Sequence, residues 1–456
     1  MRESIKYYST NLKAAEVSFR DALLKGIAPD RGLFMPKEIP SFSADELTEL
    51  ASLEYYEIAS AVLYKFLKGE IPQTDLLNLA RSAYNYEVPL EHVFERKYVM
   101  RLDQGPTASF KDFAARMMGR LMQYYLKTED RKLLILTATS GDTGSAIANA
   151  FYGLDNIKCL VLFPEKEVTD RQRKQMTTLG KNIQIVGLNA KFDDCQHLVK
   201  QAFADTDLDF LNLSSANSIN IGRILPQIVY YFYAYAKLKK GADDKVIYSV
   251  PSGNFGDMMG GMIASRMGLP VKKYVIACNE NDEFPVFLKT GQYRKIVPSK
   301  NCLSSAMNVG HPSNLSRLVA LYGGAMDEKG NVSKAPDLDR MRKDIFAVSV
   351  NDKQTKEMIA KAYQQHKLLL EPHGAVGWSG LEYFLETHPD YNKPEQLCVS
   401  LETAHPAKFP QQIEEILKFD PELPPSLEGL EEKEESFDLL KNEYDAFKEY
   451  LIRKYK

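Results

Sequence analysis

The chain reads as an α/β protein: mostly parallel twisted sheets with helices on both faces, plus a mainly helical N-terminal domain. Three observations predict this. From about Tyr98 onward, short apolar runs of strand length alternate with stretches of helical periodicity, the pattern of parallel strands joined by crossover helices. Two strand-to-helix junctions, Ala138–Gly144 and Pro251–Asp257, are small, polar and Gly-rich. Before about residue 90 the apolar spacing is mainly helical, with polar loops between.

Taken in order, Gly32–Pro36 reads as a turn and Ser43-Ala-Asp-Glu46 as a capping box. The run Phe110, Phe113, Ala114, Met117, Met118, Leu121 has helical spacing. Leu133–Ala138 is a predicted strand, followed by a turn and a helix through Ala150. Cys159–Phe163 and Gln184–Leu188 are strands, and Asp193–Ala204 a helix. Ile221–Lys239, rich in Tyr and Leu, reads as one long helix. Val246–Val250 is a strand with a helix after it to Arg266. Lys273–Ala277 and Leu397–Leu401 are further strands. The expected divisions are an N-terminal domain at 1–90, a first α/β part at 91–240, a second at 241–420, and an acidic, Pro-containing linker with a charged helix at 421–456. Pro, Gly, Asn and Ser crowd residues 280–347, which read as an insertion with irregular connections.

Composition excludes several classes. At 456 residues, 44% hydrophobic and 26% charged, the chain is of ordinary globular type and long enough for roughly two to four domains. A net charge of −3 gives no electrostatic reason to expect nucleic acid or a membrane surface as partner. No apolar run approaches the roughly 20 residues of a membrane span, and the N-terminus lacks a signal-peptide core. The five cysteines are scattered and show neither zinc spacing nor a disulfide framework. Buried reduced thiols at Cys159, Cys278 and Cys398, and a cytoplasmic location, are the expectation. A monomer or homodimer is the expected assembly.

The richest segment is Gln104-Gly-Pro-Thr-Ala-Ser-Phe-Lys-Asp-Phe113. It places Lys111 in the first turn of a helix, where Thr107 or Ser109 can serve as cap. A cation there opposes the helix dipole, which favours the neutral amine needed to form an imine with an aldehyde. The two Gly-rich turns are candidate anion cradles, because glycines let backbone N–H groups approach closely and a helix N-terminus follows. Neither is a nucleotide loop of the Gly-Lys-Ser/Thr or GxGxxG type. A lysine and two cradles suit pyridoxal phosphate, with its aldehyde and phosphate, together with a phosphorylated amino-acid substrate. After the strand Leu397–Leu401, Thr403 offers a neutral hydroxyl of the kind that can bond a pyridine nitrogen without forcing it to be charged. His405 and Lys408 follow in the same loop.

These residues resemble the threonine synthase family among the fold-type-II pyridoxal-phosphate enzymes, in the form found in many bacteria and in yeast. The resemblance runs from Tyr8-Ser-Thr-Asn and Gly32-Leu-Phe-Met-Pro to His405-Pro-Ala-Lys-Phe409. Its most specific pieces are Gly105–Phe113, Thr139-Ser-Gly-Asp-Thr-Gly144, Asn217-Ser-Ile-Asn220, Ser252–Asp257 and Thr403–Phe409. It implies that Lys111 carries pyridoxal 5'-phosphate. It implies that Gly253, Asn254, Phe255, Gly256 and Asp257 cradle the cofactor phosphate, and that Thr403 faces the pyridine nitrogen. Ser140, Asp142 and Thr143 are implied at the substrate face. Asn217, Ser218, Asn220, Arg223 and Lys408 are implied near the substrate phosphate. The implied reaction makes L-threonine and phosphate from O-phospho-L-homoserine and water. Competing readings are another fold-type-II lyase, such as a serine/threonine dehydratase, and a silent relative that only binds a phosphorylated amino acid. The Gly105-Pro-Thr and His405–Phe409 motifs argue against the first, and retention of Lys111 with the loop glycines against the second.

Overall fold

The computed structural model describes residues 4–127, 131–139, 141–241 and 243–456. Two sheets carry the architecture. The larger has the order Ile345–Ser349, Val271–Cys278, Val246–Pro251, Cys398–Glu402, Lys97–Arg101, Leu90–Phe94. It is parallel except at its last pair, where Leu90–Phe94 runs antiparallel to Lys97–Arg101. The smaller has the order Asp438–Leu440, Ile183–Leu188, Ile157–Pro164, Leu133–Ala138, Leu213–Ser214 and is parallel throughout.

Strand alternation explains why helices cover both faces. On the smaller sheet Leu134, Leu136, Leu160, Leu162 and Val186 pack with Leu198 and Val199 of the helix Phe192–Ala204 and with Phe447 and Leu451 of the helix Tyr444–Tyr455. Their neighbours Leu133, Ile135, Cys159, Val161 and Ile185 face the opposite way, into the main core. Residues two apart share a face, so an apolar run without polar alternation must be buried on both sides. The larger sheet behaves likewise. Val99, Ile247 and Val275 meet Trp378 and Leu381 on one side, while Tyr248 and Tyr274 join the main core on the other.

The N-terminal region is mainly helical, and the Ser43/Glu46 capping box is present. Two local readings differ. Phe34–Pro36 is a strand paired antiparallel with Tyr7–Ser9, not simply a turn. The stretch expected as one long helix is broken into Ile221–Ile224, a 3-10 turn Leu225–Ile228, and Val229–Leu238. Pro226 accounts for the break: it has no N–H to give, and its ring crowds the preceding turn. The 280–347 stretch holds three short helices, Glu283–Thr290, Leu315–Leu321 and Leu338–Asp344, and a small antiparallel pair. The five cysteines are unpaired. No helix among the described residues is long and apolar enough to cross a membrane.

Candidate active site

Three adjacent parallel strands, Val246–Pro251, Cys398–Glu402 and Lys97–Arg101, end on the same edge. The loops leaving them lie side by side, where ligands bind in sheets of this kind. Two of these loops are laced together. Leu102 N–H donates to Glu402 O (3.0 Å), Phe110 N–H to Thr403 O (2.9 Å) and His405 N–H to Ala108 O (3.0 Å). Ala108 takes a left-handed conformation, φ 52°, to make the fit.

Lys111 is thereby delivered as the first residue of the helix Lys111–Lys127, beside Thr403. Among the described residues neither Thr107 nor Ser109 caps this helix with its side chain. Thr107 instead donates its hydroxyl (2.7 Å) and its N–H (2.8 Å) to the two oxygens of Asp112. Ser109 Oγ is buried without a partner among the described residues. A carboxylate accepts two donors at once and binds each more strongly than a hydroxyl does, so Asp112 closes this loop. Nothing in the sequence spacing singles out Asp112 for this part.

Around Lys111 the charges converge. Its Nζ lies 3.8 Å from Asp142 Oδ2 and 4.8 Å from the centre of the Phe110 ring. Asp142 opens the helix Asp142–Phe151. Its Oδ1 accepts from Lys408 Nζ (2.7 Å) and Gln172 Nε2 (3.0 Å). Lys408, wholly buried, also donates to Thr107 O (2.8 Å), which takes a second bond from Gln175 Nε2 (3.1 Å). Burial is the leading reason that the Lys111 amine sits below the usual lysine value, opposed by Asp142 and reinforced by Lys408 and Arg223. Asp142 lies below the usual carboxylate range despite burial, because Lys408 and Lys111 favour its charged form. Gln172 and Gln175, one helical turn apart on Asp170–Thr177, carry no sequence signal that would have found them.

The loop after Pro251 leads into the helix Gly256–Arg266. A Cβ on Gly253 would stand 2.9 Å from Met307 Cα and 3.1 Å from Ala306 O, so only glycine fits without moving backbone. Phe255 is left-handed, φ 62°. Asn254 accepts through Oδ1 from Ser313 N–H (3.2 Å) and through its carbonyl from Asn314 Nδ2 (2.9 Å). Asp257 is buried; burial pushes its carboxyl up to about 6, against the pull of the Met258 N–H and Lys111. Thr143 follows Asp142 on its helix and is half-buried. Ser140 lies outside the described residues.

In the Asn217–Asn220 segment, Asn217 Oδ1 accepts from Thr137 Oγ1. Both Asn220 amide protons are taken up by the carbonyls of Leu23 (2.8 Å) and Ser215 (2.9 Å), and its Oδ1 by Gly222 N–H (2.9 Å). Arg223 donates Nη1 to Ala216 O (2.7 Å), while its buried Nε has no partner among the described residues. Burial lowers its guanidinium to about 10. His405 Nδ1 accepts the Ala407 N–H (3.2 Å), and burial brings its imidazole down to about 4.

The arrangement fits a carbonyl-bearing, phosphorylated cofactor: a buried amine of reduced proton affinity, a glycine loop aimed at a helix N-terminus, and a threonine at the neighbouring strand end. A family model described as pyridoxal-phosphate dependent enzyme matches residues 69–401. With the two-sheet fold, it defines a pyridoxal-phosphate-dependent enzyme of fold type II. Models for the threonine synthase N terminus and C-terminal region match residues 6–84 and 375–451. The chain is 38% identical to threonine synthase of Haemophilus influenzae, covering 98% of this chain and 99% of that one. It is 38% identical to the Escherichia coli enzyme, over 93% and 94% of the two chains. A pyridoxal-phosphate-bound threonine synthase structure from Brucella melitensis superposes with TM-score 0.91 at 36% identity, covering 99% of each chain. The yeast threonine synthase structure gives 0.89 at 31%, covering 98% of each. The chain belongs to the threonine synthase family, lyases of threonine biosynthesis.

Proposed function

We propose that this enzyme converts O-phospho-L-homoserine and water to L-threonine and phosphate, by γ-elimination followed by addition of water at the β carbon. The observation that carries the reading is the Lys111 amine, buried at a helix start and 3.8 Å from a buried carboxylate. Lys111 Nζ is the attachment point for pyridoxal 5'-phosphate. Gly253, Asn254, Phe255, Gly256 and Asp257 hold its phosphate, and Thr403 faces its ring nitrogen. When bound, the cofactor supplies an electron sink for charge left at the substrate α carbon.

The remaining work belongs to side chains of this chain. With its amine free and neutral, Lys111 Nζ takes the α proton, hands it on and is neutral again, then takes a β proton and gives a proton back as water adds and product leaves, holding one extra proton at a time. An amine with that shuttle duty must hold its proton loosely near working pH, and burial supplies the shift. Asp142, fixed by Lys408 and Gln172, opposes the shift and favours the cationic form that Nζ takes in mid-cycle. Arg223, whose Nε lacks an acceptor among the described residues, is the cation assigned to the substrate phosphate. Asn217, Ser218 and Asn220 shape the loop beside it, Lys408 closes the far side, and Thr143 follows Asp142 at the substrate face. A buried cation stabilises the charge that gathers on a departing phosphate.

These residues lie on one chain, so a monomer, or a homodimer with two independent sites, suffices. Five unpaired thiols favour the cytoplasm. The test is phosphate release from O-phospho-L-homoserine with threonine measured in the same tube. Equal amounts of both are expected. Phosphate without threonine, or turnover of threonine or O-acetylserine in its place, would favour a different lyase.

A further inference from the structure

Arg317 lies in the helix Leu315–Leu321, within a stretch whose sequence announced no chemistry. It is wholly buried. Its Nε donates to Phe34 O (3.0 Å), Nη1 to Asn314 Oδ1 (2.6 Å) and Ser218 O (3.3 Å), and Nη2 to Ile219 O (2.7 Å). No carboxylate pairs with it among the described residues. Asn314, also wholly buried, donates Nδ2 to Asn254 O (2.9 Å) and Ser218 O (3.2 Å). One guanidinium and one amide thus grip the carbonyls of two separate loops, Asn217–Asn220 and Ser252–Phe255. Those loops adjoin, since a Cβ on Gly256 would stand 3.7 Å from Ser218 Cβ.

A planar trans peptide points its C=O and the following N–H in opposite directions. The peptides after Ser218 and Asn254 are trans. Drawing the Ser218 and Asn254 carbonyls onto Arg317 and Asn314 therefore turns the N–H groups of Ile219 and Phe255 to the other side. Neither N–H has an acceptor among the described residues. Two outward donors backed by an uncompensated cation form a setting for anions.

We propose that Arg317 is a positioning residue for both phosphate sites. It aims the Ile219 and Phe255 N–H groups, and its own charge is balanced by the phosphates of cofactor and substrate. This rests on the function proposed above. A buried charge without a counter-ion is costly, and burial already lowers the guanidinium to about 9. Phosphate binding offsets that cost, so the effect must be specific to phosphorylated ligands.

The experiment compares pyridoxal 5'-phosphate with pyridoxal as ligands of the apoenzyme, read by absorbance, in wild type, Arg317→Met, Arg317→Lys and Asn314→Ala. Losing a charge-assisted network should weaken pyridoxal phosphate about tenfold or more in Arg317→Met while pyridoxal binds as before. Arg317→Lys should recover part of the preference, because it keeps charge without the fork. Asn314→Ala should show a smaller loss in the same ratio, and it serves if the Met variant does not fold. In the loaded enzyme, thermal stabilisation by inorganic phosphate should fall in parallel. Equal losses for both ligands, or no loss in any variant, would overturn the proposal. A wild-type apoenzyme that does not bind pyridoxal phosphate would instead undo the functional reading beneath it.

Discussion

Replacing Glu402 with Gln tests the electrostatics behind Thr403. Three buried carboxyl groups, Asp103, Glu371 and Glu402, cluster here, and the Arg101 guanidinium pairs with two of them, Asp103 and Glu402. Arg101 Nη1 lies 3.6 Å from Glu402 Oε1 and 3.9 Å from Asp103 Oδ2, and Nη2 is drawn away to Glu91 (2.6 Å). Glu371 is well satisfied: it accepts from the N–H groups of His373 (2.7 Å) and Gly374 (2.9 Å), and pairs with His373 Nδ1 (2.5 Å). His373 Nε2 in turn accepts the Ala306 N–H (3.0 Å). His405, brought down to about 4, adds no positive charge at neutral pH. Glu402 Oε1 accepts the Glu371 N–H (2.8 Å), but Oε2 has no partner among the described residues. Burial first, then Glu371, raises Glu402 well above the usual carboxylate range. The folded protein therefore holds a proton that the unfolded chain releases near pH 4.5. Above that value folding takes up one proton, so stability must fall as pH rises, by about 1.4 kcal/mol per unit while the native group stays protonated. Glutamine keeps the Oε1 acceptor and puts an N–H where the acid's O–H stood, without the linkage. In paired urea titrations of the apoenzymes between pH 5.5 and 7.5, Glu402→Gln should gain on wild type as pH rises, at up to that slope for as long as the native carboxyl keeps its proton. A difference that stays flat across that interval would refute a neutral Glu402.

Three further outcomes are expected. Lys111→Ala should abolish both turnover and the visible absorbance of the bound cofactor; turnover at the wild-type rate would remove Lys111 from the mechanism. Asp142→Asn strands the wholly buried Lys408 without its ion partner, so unfolding titrations should show a loss of about 3–5 kcal/mol, and the double variant with Lys408→Met should recover part of it. Gly253→Ala pushes a methyl against Met307 Cα and Ala306 O; it should lower pyridoxal-phosphate affinity in an apoenzyme titration and cost about 1–3 kcal/mol of stability, with an unchanged titration counting against the cradle.

The parts legible in the sequence are those written by local rules. Leu133–Ala138 reads directly as a strand because it is apolar, β-favouring and bounded by polar residues. The Ser43/Glu46 box reads from spacing alone. Lys111, Asp142 and Lys408 sit in motifs close to Gly, Pro or Thr, which mark the turns that carry them. Pro226 interrupts the helix, yet the apolar periodicity on either side of it reads as continuous. Contacts between residues far apart in the chain leave no such trace. The edge strand Asp438–Leu440 is three residues long and gains its identity from pairing with Val186, Gly187 and Leu188. Arg317 reads as an ordinary helical arginine until the fold brings Phe34, Ser218 and Ile219 around it. Asp112 follows the lysine directly, but its bond to Thr107 requires the left-handed turn at Ala108.

The position of Asp142 carries the strongest constraint on how the site works. Its helix follows the strand Leu133–Ala138 of the smaller sheet, whereas Lys408 follows Cys398–Glu402 of the larger one. The bond between them, 2.7 Å and almost wholly buried, joins the two sheets beside Lys111. A buried ion pair adds little net stability against an apolar alternative, yet breaking one side of it is costly. Its contribution is to fix register: Asp142 cannot move away from Lys111 without leaving Lys408 unpaired. The same carboxylate that restrains one lysine thus holds its distance to the other at 3.8 Å, longer than a hydrogen bond. At that separation the charge tunes the Lys111 amine without binding its proton. A base with the proposed duty of taking and returning protons repeatedly is served better by that arrangement than by a direct ion pair, which would hold the amine as a cation.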